Sequence, residues 1–327
     1  ATGMFGKWHL GDNYPCRPHD RGFDQAIYHG GGGIGQTPDL WGNDYFDDRY
    51  FHNGNPQQFK GYCTDVWFDE AMRFMSTRRD KPFFCYLLPN APHGPYLVDE
   101  KYSKPFVERG FSQNRANFYG MLVNIDENMG RLEAFLNDEG LRDNTIVIFM
   151  TDNGTAGPWY PKEGADHTAG LRGIKGSIYE GGHRVPMLVR WPARVAAGSQ
   201  CTSPVCQTDL LATVADIVGA DLPDSAGEDS VSFYGPLTGD SATVSRAPII
   251  HHSAGGGFAI REGKWKLVME SGRQRRELYD LSVDPSETNN LLDRHPEVAS
   301  DLVAKISHII RSGRSSEGTP QANDTAW

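Results

Sequence analysis

Two lysines, two histidines and an aspartate–asparagine pair stand in four short motifs whose residue types suit a tetrahedral oxyanion. Gly6-Lys7-Trp8-His9-Leu10-Gly11 carries Lys7 and His9, and Pro92-His93-Gly94-Pro95 carries His93. Thr151-Asp152-Asn153-Gly154 sets a carboxylate beside a carboxamide. Gly173-Ile174-Lys175-Gly176-Ser177 supplies Lys175 and runs into Glu180-Gly181-Gly182-His183-Arg184-Val185-Pro186. Cations neutralise anionic oxygens, hard oxygen donors bind a hard metal ion, and imidazoles move protons near neutral pH. Each motif alone has a plainer reading. A lone loop lysine or histidine is usually a solvated surface group, and Asp-Asn-Gly after a strand is ordinary turn chemistry. Their shared placement favours chemistry, because each follows an apolar strand or leads into one, and open α/β sheets build sites at strand carboxyl ends.

The elements that must position them can be read from periodicity. The opening Ala-Thr-Gly-Met-Phe-Gly reads as a strand already in progress. Residues 22–55, rich in Gly, Asp, Asn and aromatics and including glycines 30–33, read mostly as loop, with the glycine run flexible. A helix is predicted over 64–75 with Val66, Trp67, Ala71, Phe74 and Met75 on one face. The apolar run 82–88 predicts a strand buried on both faces, as does 145–151. Between them, Phe118, Met121, Leu122, Ile125, Met129, Leu132 and Phe135 recur at helical spacing over 115–137. A strand at 185–191 and a helix at 209–218, capped by Thr208 and stopped by Gly219, complete this part of the chain.

Alternating strands and amphipathic helices predict an α/β main domain over 1–227 with a mostly parallel sheet flanked by helices. After 227 the texture changes. Short strands at 248–252, 258–261, 264–270 and 277–281 predict an antiparallel meander, closed by a helix at 296–311. Residues 228–311 thus form a small α+β subdomain, and the Ser/Gly/Pro-rich tail 312–327 is expected to be disordered.

The formal charge of −10, with no basic face, argues against a nucleic-acid partner. No apolar run is long enough to span a membrane, and no stretch reads as a signal peptide. The five cysteines, at 16, 63, 85, 201 and 206, form neither a disulfide framework nor a zinc site. Cys201 and Cys206 are close enough to pair in an oxidising compartment, and Cys63 and Cys85 read as buried small hydrophobes.

Phe-Gly-Lys-Trp-His-Leu-Gly at 5–11 resembles a signature of the formylglycine-dependent sulfatases, of the alkaline phosphatase superfamily. Arg-Pro-His-Asp-Arg-Gly-Phe-Asp at 17–24, Ala-Pro-His-Gly-Pro at 91–95 and Thr-Asp-Asn-Gly at 151–154 are similar to later family segments. So are the 173–186 motif, Lys266-Leu267 and the stretch from Glu277 to Glu287, all in family order. The resemblance implies hydrolysis of sulfate esters of a sulfated small molecule or glycan, in a periplasmic or secreted protein. It implies Asp152 and Asn153 as ligands of calcium, with magnesium an alternative. Lys7 would bridge the nucleophile and a sulfate oxygen, and Lys175 would hold the sulfate or ester oxygen. His93 would protonate the leaving oxygen, and His9 would take a proton from the nucleophile.

The family's nucleophile comes from Cys-x-Pro-x-Arg, and an Asp pair completes its calcium site. Both belong to a segment expected ahead of Ala1, so this chain alone is expected to be inactive. Cys16-Arg-Pro-His-Asp-Arg21 has its arginine one place too late and reads as a decoy. Two other functions stay open on sequence: a phosphatase or phosphonate monoester hydrolase of the same superfold, and a non-catalytic binder of sulfated glycans. Trp41, Tyr45, His167, His251 and His252 are candidates for lining a carbohydrate cleft or for plain structural roles.

Overall fold

The computed structural model describes residues 1–156, 168–269 and 276–322. The chain divides into two compact units, 1–144 and 145–327. Within the second unit the 172–184 segment is bonded to the C-terminal sheet.

In the first unit a five-stranded sheet has β1 (Thr2–Lys7) between β2 (Gln25–His29) and β5 (Phe84–Leu88), parallel to both. Strands β3 (Arg49–His52) and β4 (Asn55–Gln58) extend the β2 edge antiparallel. The stretch 22–55 is mostly loop, as expected, but it also holds β2 and β3. Its short apolar run Ala26-Ile27-Tyr28 forms a fully buried strand whose signal is masked by flanking glycines and polar residues. Strand β5 is not buried on both faces either. Phe84 and Tyr86 alternate outward and are largely exposed, each ring stacking 6.2 Å from Phe23.

Helix α1 (Cys63–Ser76) buries the predicted Val66, Trp67, Ala71, Phe74 and Met75 stripe, with Phe74 5.7 Å from Phe5 of β1. Helix α2 (Glu100–Val107) is not apparent in the sequence because Pro105 interrupts its pattern; Asp99 caps it by accepting from Lys101 N at 2.9 Å. Helix α3 (Gln113–Asp138) spans the expected helix, but of the expected apolar stripe only Met121 and Leu132 are buried. Its buried face is Ala116, Gly120, Met121, Asn124, Asn128 and Leu132, and Asn124 and Asn128 tie it to α1 by donating to Asp65 Oδ1 at 2.8 and 2.7 Å.

In the second unit β6 (Val147–Met150) pairs antiparallel with β7 (Met187–Arg190), and the short helix α4 (Glu180–His183) lies between them in sequence. Strand β6 is half-buried rather than buried on both faces. Helix α5 (Asp209–Val218) ends at Gly219 in the left-handed conformation, as expected. Its start is held differently: Thr208 makes no side-chain cap, and Asp209 instead accepts from Cys206 N at 2.6 Å and Val231 N at 2.9 Å. A short helix α6 (Tyr234–Thr238) precedes the meander β8 (Ile249–His252), β9 (Phe258–Glu262), β10 (Trp265–Met269) and β11 (Arg276–Asp280), all antiparallel neighbours.

Helix α7 (Pro296–Ser312) packs Ala299, Leu302, Ile306 and Ile310 on one sheet face, against Ile260, Leu267, Met269 and Leu278. The opposite face, with Ala259, Val268 and Tyr279, takes Ile178 and Tyr179. In residues 313–322 the chain runs back along the loop at 224–229, and the expected tail beyond 322 lies outside the described residues. The buried Arg314 guanidinium donates to carbonyls of Asp224, Ser316, Glu317 and Thr319, which overrides the Ser/Gly-rich composition. Cys201 and Cys206 are free thiols, Cys63 is buried, and burial pushes the half-buried Cys85 up to about 12.

Candidate active site

Each unit assembles its own set of the motif residues at strand ends. In the first unit, Lys7 is the last residue of β1 and lies in register with His29, the last residue of β2. Parallel register partners project from the same sheet face. His9, two residues on, is exposed and held at φ 54°, a left-handed turn that ends the strand abruptly. Glycines 30–33, which come directly after His29, are buried, not a flexible loop. A β-carbon on Gly32 would lie 2.8 Å from His9 Cε1, and one on Gly33 2.9 Å from His93 Nδ1. The run is glycine because the backbone passes directly against both imidazoles.

His93 is braced on three sides. Its N–H donates to Asn90 O at 2.8 Å, its carbonyl accepts from Tyr45 Oη at 3.0 Å, and its Nδ1 lies 2.7 Å from Gly94 O. Asn90 is itself fixed by the Trp67 indole, 3.2 Å from its Oδ1. With a carbonyl as partner, Nδ1 must carry the hydrogen, so proton exchange is left to Nε2.

His29 escapes a reading of the sequence, since it belongs to no motif. It is fully buried, lies 6.1 Å ring to ring from Trp67, and among the described residues neither ring nitrogen has a hydrogen-bond partner. Burial, reinforced by the positive charges of Lys7, His93 and His9, lowers its pKa to about 3. The imidazole beside the lysine is therefore neutral.

In the second unit, two motifs interlock. Gln207 Nε2 donates to Thr151 O at 2.8 Å, and Thr151 Oγ1 to Asn153 O at 3.2 Å, which fixes the turn after β6. Gly154 N donates to Gly182 O at 3.0 Å, and Lys175 N to Thr155 O at 2.8 Å. The Asp152–Asn153 turn and the Lys175 loop are thus one hydrogen-bonded assembly, with Asp152 and Lys175 exposed. Asn153 Nδ2 donates to Gly154 O at 3.0 Å, leaving Oδ1 as its acceptor face. Asp152 and Asn153 are hard oxygen donors, right in kind for calcium, but they supply two of the about six to eight oxygens it takes. Among the described residues no group of three His, Cys, Asp or Glu side chains could hold a metal.

The cleft candidates divide. Trp41 is fully exposed, and His252 stacks on Phe258 at 4.3 Å. Tyr45 is fully buried under His93, and His251 stacks on His183 at 3.9 Å in a half-buried pair, so both have structural positions. His167 lies outside the described residues. Cys16 Sγ accepts from Arg21 Nη2 at 3.6 Å beside Gly11.

The profile of the sulfatase family matches residues 1–220. The chain belongs to the sulfatase family. A second profile, N-sulphoglucosamine sulphohydrolase, C-terminal, matches residues 174–312. Among sulfatase relatives, the chain is 32% identical over 266 residues to N-acetylgalactosamine-6-O-sulfatase of Bacteroides thetaiotaomicron, covering 75% of this chain and 50% of that one. It is 28% identical over 350 residues to human arylsulfatase A, covering 89% of this chain and 64% of that protein. Among solved structures, Ps i-CgsB in complex with k-i-k-neocarrahexaose matches at a TM-score of 0.83 with 28% identity, over 98% of this chain and 73% of that one. This sulfatase chain thus spans about half the length of the Bacteroides relative. Its α/β fold with a C-terminal antiparallel sheet agrees with these neighbours. No helix among the described residues is long and apolar enough to cross a membrane.

Proposed function

We propose that the complete protein carrying this chain hydrolyses sulfate esters of carbohydrates, outside the cytoplasm. The observation that carries this reading is the packing of His9 and His93 against one buried glycine wall, with Lys7 at the end of β1 two residues before His9, in a chain of the sulfatase family. The substrate class is supported by relatives named for N-acetylgalactosamine sulfate and a structure holding neocarrahexaose.

Lys7 and Lys175 bind the oxygens of the sulfate and neutralise charge as it develops on the ester oxygen. His93, with Nδ1–H committed to Gly94 O, delivers a proton from Nε2 to the leaving oxygen. His9 takes a proton from the nucleophile, which we place, as a formylglycine, outside the residues of this chain. Sulfatases generally use a metal ion. We propose calcium, with magnesium as the alternative, held in part by Asp152 and Asn153 and completed by ligands beyond these two. When bound, the ion supplies Lewis-acid polarisation of the anion.

Inorganic sulfate released by the complete protein, from a sulfated N-acetylhexosamine and from an aryl sulfate, tests the reading. His93→Ala should slow the sugar ester by about 10²–10⁴-fold, and the aryl ester, whose leaving group needs little protonation, far less. Equal losses on both esters would remove His93 from the role of acid. No sulfate release from any ester would overturn the function.

A further inference from the structure

The 173–186 motif contains more than Lys175, and the sulfate-ester chemistry assigned to Lys7, His9, His93 and Lys175 makes no use of Glu180 or His183. Glu180 is fully buried, and so is Lys266, in the middle of β10. Lys266 shares its sheet face with Val268, the face covered by Ile178, and not the face covered by α7. Its Nζ lies 2.9 Å from Glu180 Oε1, 2.8 Å from Glu287 Oε1 and 3.2 Å from His183 Nε2. Glu287, fully buried and held at φ 54°, also accepts from Glu180 N at 2.6 Å through its other oxygen. Arg184 and Arg261 each stand 3.6 Å from Glu180 Oε2.

An apolar contact of similar volume would hold the same segment to the sheet without desolvating three charges. What a buried ionic triad adds is a single allowed register, since any slip leaves a buried charge unpaired. That register fixes the two glycines next in the chain after Glu180. Gly181 N donates to Arg172 O at 2.7 Å, and Gly182 O accepts from Gly154 N at 3.0 Å. Gly181 and Gly182 therefore wedge between the loop carrying Lys175 and the turn carrying Asp152 and Asn153. Ala254 N, from the turn after β8, adds a bond to Gly176 O at 3.0 Å beside Lys175.

We propose that Lys266 is a positioning residue for the anion site: acting through Glu180, it sets the placement of the Lys175 loop against the Asp152–Asn153 turn. The C-terminal sheet is then part of the active-site scaffold, at the level of one ammonium group. The inference rests on the reading of Lys175 and Asp152–Asn153 as binding residues.

The test uses the complete protein, with inorganic sulfate as the probe and calorimetry as the readout, alongside kcat and KM on an aryl sulfate. Lys266→Met should weaken sulfate binding at least tenfold and lower kcat at a temperature well below its own melting point. That variant leaves Glu287 without its cation and Glu180 with only Arg184 and Arg261, which endangers folding, so Glu287→Gln is the second probe. It keeps an oxygen for Glu180 N and removes one charge from the triad. It should keep its melting temperature within a few degrees and still weaken sulfate three- to tenfold. Folded variants with lowered melting points but unchanged sulfate affinity, kcat and KM would make Lys266 merely structural and overturn the inference. A wild-type protein that neither binds sulfate nor releases it would overturn the parent reading instead.

Discussion

Gly154 and Gly181 approach so closely that a β-carbon on Gly154 would overlap the Gly181 carbonyl oxygen. This contact joins the turn after β6 to the start of α4, and it admits no side chain. Gly154→Ala must push the two segments apart and strain the Gly154 N to Gly182 O bond. It should destabilise by about 1–3 kcal/mol, as overpacking does, and also weaken inorganic sulfate binding. Gly130, inside α3 with nothing near its β-position, is the control. Gly130→Ala should stabilise by about 0.5–1 kcal/mol and leave binding unchanged. Urea denaturation with calorimetry on both variants decides it; equal sulfate affinity in Gly154→Ala and wild type would detach this contact from the site.

One buried and two half-buried histidines should make the fold acid-sensitive before its carboxylates do. Burial lowers His29 to about 3 and His183 to about 4, and it holds His251 well below its ordinary 6.5. Lys266 lowers His183 and His251 further, while Glu180 works in the opposite direction on His183. In each case the unfolded chain binds the proton at higher pH than the folded one. Stability therefore rises with pH across the window and is lost as pH falls from about 6.5 towards 4, by about 1 kcal/mol per pH unit per histidine. Urea midpoints between pH 7.5 and 5 should drop, and the slope should be shallower in His183→Gln and in His29→Phe. His29→Phe should also match or exceed wild-type stability at pH 7.5, since it removes two nitrogens without a partner among the described residues. A flat profile over this range would contradict the neutral imidazoles.

Arg314 predicts that the segment after α7 contributes to stability. It is buried and its guanidinium donors end on four backbone carbonyls and Ser316 Oγ. Arg314→Ala orphans several of these acceptors and should destabilise by about 1–3 kcal/mol. Thermal melts check it; a melting point unchanged by the substitution would return residues 313–322 to the status of a loose tail.

Some levels of this structure are legible in the sequence and others are hidden, for physical reasons. Helices α1 and α7 and the C-terminal meander are readable because each buries an apolar face against a partner, whereas α3 is legible in extent but not in orientation, since its buried face carries Gly120, Asn124 and Asn128. The four motifs stand out because they concentrate Gly, Lys, His, Asp and Asn in short loops. Strand β2 is hidden by its length and its glycine neighbours, and α2 by Pro105. His29 carries no motif, and its importance lies only in the register that pairs it with Lys7. Lys266, Glu180 and Glu287 look like surface charges in isolation, and only the tertiary fold brings them together out of water. The glycine run 30–33 shows the same limit, since flexibility and close approach favour the same residue and only neighbours distinguish them.

A site shaped for sulfate is tested most directly by comparing esters that share one leaving group. The complete protein should be given the 4-nitrophenyl esters of sulfate and of a phosphonate, and kcat/KM measured for each. If Lys7 and Lys175 bind sulfate and His93 is the acid, as proposed, the sulfate ester is preferred by at least about a hundredfold, ~3 kcal/mol of transition-state discrimination. Lys7→Ala and Lys175→Ala should each abolish most of that activity. Faster turnover of the phosphonate, or sulfate turnover indifferent to both lysines, would contradict a site built for sulfate.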